Sequence, residues 1–157
     1  MLGFGLNHRR MEQETETPAD AGSKTEALRT RIEAALQESL EKQWEEVLDQ
    51  WTGAEAAERE AVWTYAANLR DRILNALLAA DSQEALKRCL AVGYVEMKCH
   101  WTMLNTQIQH QTSRNGRPEE PLIYRATCVS LIVQALEPLL NREYVEGLTG
   151  FLAESLA

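Results

Sequence analysis

Between Arg125 and Glu137 the chain runs through Ala126–Leu136 (ATCVSLIVQAL) without a single charge, although 25% of all its residues are charged. A helix over this stretch is apolar almost all round, and such a helix must be covered on every side by its own chain or by another. Either it lies at the centre of a bundle, or its outer face is an interface.

The rest of the chain supplies the cover. Its 157 residues suffice for one hydrophobic core, and nothing in the length asks for a second domain. Ala, Leu, Glu, Gln and Arg dominate over β-branched residues, which predicts an all-α fold. A first helix is expected over Lys24–Trp51, where Leu28, Ile32, Leu36, Leu40, Trp44, Val47, Leu48 and Trp51 recur every three or four residues. Thr52 and Glu55 read as a capping box, which leaves only a Thr52-Gly53 turn before a second helix to Ala80 through Ala61, Tyr65, Leu69, Ile73, Ala76 and Leu77.

Asp81 and Glu84 repeat the pattern and open a third helix to about Thr112, using Leu86, Cys89, Leu90, Val92, Met97, Trp101, Leu104 and Ile108. Ser113–Pro121 (SRNGRPEEP) is a loop by its Asn-Gly and prolines. A fourth helix follows to about Leu139, and Asn141 caps a last one ending near Leu156. The expectation is a single helical bundle of four to five helices over residues 24–157. Three are long and antiparallel, followed by a shorter C-terminal pair, and an acidic, flexible tail over residues 1–23 precedes them.

Charge narrows the function. A net charge of -8 argues against direct nucleic-acid binding, since phosphates are held mainly by Lys and Arg. Residues 24–80 carry seven bases against eleven acids, whereas residues 81–112 balance three against three. That sparse charge on the third helix predicts a central position. No apolar run reaches the roughly 20 residues that span a bilayer, and MLGFGLNHRR has no signal-like apolar region, so the expectation is a cytoplasmic protein with no membrane partner. Cys89, Cys99 and Cys128 are odd in number, form no CxxC and fall in apolar helical patterns, which predicts buried, reduced thiols.

Candidate chemistry is thin. Trp44, Trp63 and Trp101 fall at one height if the helices alternate in direction, and an aromatic core layer is favoured there over a cofactor pocket. Glu96 and His100 form an i, i+4 pair, but His8 is in the tail and His110 lies about 15 Å further along the same helix, so no metal site is expected. Cys99 and His100 point about 100° apart and form no dyad. No GxSxG or glycine-rich phosphate loop occurs, so no catalytic residues and no cofactor are expected. Arg114, Asn115 and Arg117 form a local basic cluster for a loop contact, offset by Glu119 and Glu120.

The last predicted helix is amphipathic, with Tyr144, Leu148, Phe151, Leu152 and Leu156 as the candidate partner-binding stripe. Gly147 and Gly150 each cost it about 1 kcal/mol relative to alanine, so it needs docking to be stable. These features favour a non-enzymatic protein-protein interaction module: an accessory or scaffold subunit, or a homo-oligomer. Two alternatives stand beside it. One is an acidic inhibitor or immunity-type protein blocking a basic site on a nucleic-acid-handling enzyme; the other is a small-molecule or cofactor binder at the tryptophan level.

Overall fold

The computed structural model describes residues 18–140. They form four helical arms with no strand among the described residues. The first arm is α1 (Pro18–Ala34), a π-helical turn (Ala35–Ser39) and α2 (Leu40–Asp49) in direct succession. It is followed by α3 (Ala56–Ala79), α4 (Gln83–Asn115) and α5 (Glu120–Leu136), which ends in a 3-10 turn (Glu137–Leu139). Cross-arm contacts fix the directions. Trp44 meets Trp63, Arg29 reaches the Ala80 carbonyl, Tyr65 meets His100, and Trp44 reaches the Cys128 carbonyl, so successive arms are antiparallel.

The π turn has a cause in the sequence. Leu28, Ile32, Leu36, Leu40, Trp44 and Leu48 are spaced four apart throughout, and all six are buried. In a regular α-helix each such step drifts about 40°, so the stripe would rotate about 200° off the core over five steps. A turn with i→i+5 bonding holds more residues than an α turn and takes up part of that drift.

Arg70 of α3 is buried against this turn. One Nη donates to Glu41 at 2.6 Å and makes a long 3.5 Å bond to the Leu36 carbonyl, while Nε donates to Asp71 at 3.0 Å. The guanidinium also stands 5.2 Å from the Trp44 ring centroid. Burial of this cation is tolerable because Nε and one Nη meet carboxylates and its flat face lies on an aromatic ring.

α5 is the central helix. It packs against α2, the π turn, α3 and α4, with Leu122, Ala126, Cys128, Val129, Ile132, Val133 and Leu136 buried. Its outward line is Ile123, Thr127, Ser130 and Gln134, where Thr127 and Ser130 donate back to carbonyls of their own helix at 2.9 and 2.7 Å. Small hydroxyl residues thus close the outer face without a charge. By length and composition Glu120–Leu139 could also cross a membrane, with a mean hydropathy of 1.3. A helix enclosed by a bundle needs the same composition.

The central position expected for the third helix is corrected. α4 packs chiefly on α5, with smaller contacts to α3 and α1, and Val92 and Met103 on its outer side are 40% and 47% exposed. The helix ends also move. α3 is capped by a box between Glu55 and Glu58, not by Thr52, because the chain spends Gln50–Glu55 in the turn. α4 is capped by Ser82, whose Oγ accepts from the Ala85 amide at 3.1 Å, in place of Asp81. It continues to Asn115 because Gly116, at φ 80°, provides the left-handed stop and donates to the Thr112 carbonyl at 2.9 Å. Pro18–Ala34 begins the first arm six residues before Lys24. The expected last helix lies outside the described residues.

Two arginines complete the turns. Arg59 donates to the Trp51 carbonyl at 2.7 Å and Arg29 to the Ala80 carbonyl at 2.6 Å, so each cation meets carbonyls at the end of a neighbouring arm.

Trp44, fully buried, donates its Nε1 proton to the Cys128 carbonyl at 3.1 Å and meets Trp63 edge-on at 5.3 Å. Trp44→Ala is expected to cost about 3–5 kcal/mol in urea unfolding, through lost burial and the cavity left behind. Trp44→Phe should cost less, about 1–3 kcal/mol, reflecting the lost hydrogen bond and the smaller ring. Equal losses for the two variants would contradict this packing.

Candidate protein-binding groove

α4 has two apolar faces. Leu86, Leu90, Gly93, Met97 and Leu104 turn inward and are buried. Val92, Val95, Cys99 and Met103 recur at steps of three or four on a second stripe, roughly 100–180° away around the helix. Val92, Cys99 and Met103 are exposed and Val95 is half-buried. This second stripe explains the scarcity of charge on α4 that burial does not.

Across from it stand Leu69 and Arg72 of α3, and the two helices enclose a groove of about 540 Å³. Gly93 sets its depth, because a Cβ there would come within 3.2 Å of Ile73 Cγ2, closer than comfortable packing. The helices therefore approach closely beneath the groove. Its rim is polar, with Arg72 on one wall and Glu96 and His100 on the other.

At the His100 end three helices are tied together. The Tyr65 hydroxyl of α3 and His100 Nε2 of α4 share a hydrogen bond, and the Arg125 guanidinium of α5 stands 5.2 Å from the Tyr65 ring centroid. Burial raises the Tyr65 pKa above its ordinary value, and the Arg125 charge partly opposes that rise. Tyr65 therefore stays neutral at physiological pH. Since His100 Nε2 is taken by Tyr65, this ring is a positioning contact of the bundle, and among the described residues no three His, Cys, Asp or Glu side chains converge as a metal site.

The other candidates fall elsewhere. Trp44 and Trp63 pack on each other, whereas Trp101 is half-buried with the Lys98 ammonium 5.7 Å from its ring centroid; none of the three lines the groove. Arg114 and Asn115 lie in the last turn of α4 and Arg117 just beyond it, all exposed. Asn115 and Arg117 line a cavity of about 650 Å³ together with Glu58, Glu119 and Glu120, so three carboxylates outnumber one guanidinium there. On the first arm Glu38, Glu45, Glu46 and Asp49 are exposed, while Glu41 is engaged by Arg70. Tyr144, Leu148, Phe151, Leu152 and Leu156 lie outside the described residues.

The expectation of three buried thiols is corrected. Cys128 is buried, Cys89 is half-buried and Cys99 is exposed on the groove wall, because its position falls on the outward stripe. Sequence reasoning placed Val92 in the core and so missed the groove. The signal was present in the offset of residues 92, 95, 99 and 103 from the inward set.

Comparison with protein-family models, with curated proteins and with solved structures finds no significant match to this chain.

Burial pushes the Cys128 thiol up to about 12 from an ordinary 9.0. In dilute native protein Cys99 should react rapidly with a thiol reagent, and Cys128 only after unfolding. The raised folded pKa also gives a sign for alkaline stability. The Cys128 contribution is complete below pH 9.0 and is lost as pH rises towards about 12, at about 1.4 kcal/mol per unit. Cys128→Ala should flatten that alkaline fall; an unchanged pH profile would refute the assignment.

Proposed function

We propose that this chain is a non-enzymatic protein-binding module, an accessory or scaffold subunit that receives an apolar helix in the α3–α4 groove. The observation that carries the reading is the second apolar stripe of α4. A helix that already has a buried inward face gains nothing for its own fold by presenting Val92 and Met103 to solvent at 40% and 47% exposure. Unbranched Met side chains suit a surface that adapts to a partner, and paired helices with an apolar groove between them suit an amphipathic helix.

The dimensions agree with such a ligand. From Val92 to Met103 the stripe extends about 16 Å, the length of three helical turns. Taking one large apolar side chain from full exposure to full burial is worth about 1.5–3 kcal/mol; Val92 and Met103 are already more than half covered and Val95 is half-buried, so the three together offer about 2–4 kcal/mol before association costs of about 4–15 kcal/mol. The groove alone gives weak binding, and a stable complex needs flanking contacts such as Arg72 and Glu96.

Val92→Asp and Met103→Asp place a charge on the groove without touching the inward face. Each should leave the helical circular dichroism and the melting temperature within a few degrees of wild type, while recovery of the bound chain with tagged protein falls at least tenfold. The bound chain scored is either a foreign protein identified by mass spectrometry or an untagged copy of this one. Unchanged recovery with both variants would overturn the reading.

A further inference from the structure

We infer that the occupant of the α3–α4 groove is a second copy of this chain, docked through α4 about a two-fold axis; this rests on the protein-binding reading above. Two observations point to self-docking. The first is electrostatic: the chain carries a net charge of -8, yet α4 itself (Gln83–Asn115) holds four bases, Lys87, Arg88, Lys98 and Arg114, against two acids, Glu84 and Glu96. Two like-charged molecules meet with least repulsion on the face that contributes none of the excess.

The second observation is the pattern of the groove itself. Arg72 and Glu96 stand exposed on its opposite walls, and neither has an ion-pair or hydrogen-bond partner among the described residues. The antiparallel pairing of Ile73 with Gly93 puts Arg72 at the height of about residue 94, so the two charges lie at nearly one level. A two-fold axis across α4 near Lys98 sets Val92 opposite the partner's Met103 and brings Arg72 within reach of the partner's Glu96. Each contact then occurs twice, as an isologous interface requires. A foreign helix would need to supply this same arrangement of opposite charges; a second copy already has it.

The test is a charge-reversal pair read by mass in solution. Wild type should be dimeric by light scattering, Arg72→Glu and Glu96→Arg each should be monomeric, and an equimolar mixture of the two variants should recover a dimer containing one of each, seen by native mass spectrometry. A measurement without variants stands beside it: Cys99 labelling in wild type should slow several-fold as protein concentration rises through the dimerisation range, while labelling of unfolded chain stays constant. Wild type that is monomeric with concentration-independent Cys99 labelling overturns the inference, as does a mixture that stays monomeric while wild type dimerises. If wild type is monomeric but a foreign protein is recovered and lost with Val92→Asp, self-docking fails and the groove reading survives. Loss of both would sink the groove as well.

Discussion

A guanidinium buried between apolar helices is the constraint around which the rest of the bundle is arranged. Arg70 is 7% exposed, and removing its partners would leave a cation in a low-dielectric interior at a cost of several kcal/mol. Its donors draw on Glu41, Asp71 and the Leu36 carbonyl, and its face lies on Trp44. These contacts fix the height of the first arm against α3 and the rotation of Trp44. Trp44 in turn reaches the Cys128 carbonyl and so fixes α5. Seven residues further along the arm, Trp51 repeats the motif, stacking on Tyr124 at 4.5 Å and donating to Glu120 at 2.6 Å. The central helix is therefore held by two indoles on one neighbour, each with its polar edge satisfied.

The fold class and the direction of the arms were legible because both rest on long-range periodicity. Apolar residues at helical spacing, interrupted by short polar turns, leave few alternatives to an up-and-down bundle. The caps were less legible. Thr52 and Asp81 have suitable side chains at suitable spacing, but Glu55 and Ser82 fill the role, because a cap is decided by which residue adopts extended backbone after the turn. The π turn was also written in the sequence, in the unbroken spacing of four from Leu28 to Leu48, and it becomes apparent only when that spacing is compared with 3.6 residues per turn.

Charge density was the least dependable guide, since two different structures give the same signal. Ala126–Leu136 of α5 lacks charge because three neighbouring arms pack against it and its outward positions include the self-bonded hydroxyls of Thr127 and Ser130. α4 is sparsely charged because it carries apolar residues on two sides, one of them open. Distinguishing the cases from sequence requires placing each residue around the helix. On α5 the apolar positions nearly close the circle, while on α4 they separate into Leu86–Leu90–Met97–Leu104 and Val92–Val95–Cys99–Met103.

The groove between α3 and α4 differs from a loop-built site in what it costs to occupy. Its walls are held by interactions below it: Ile73 against Gly93 sets the spacing of the two helices, and Tyr65 with His100 and Arg125 ties its end to α5. Those contacts exist whether or not the groove is filled, so an occupant loses little to ordering the receptor and pays mainly for its own immobilisation. A preformed groove of modest apolar area then favours an occupant that is itself a rigid helix. α4, already anchored along its inward face, meets that requirement better than a segment that must fold as it binds.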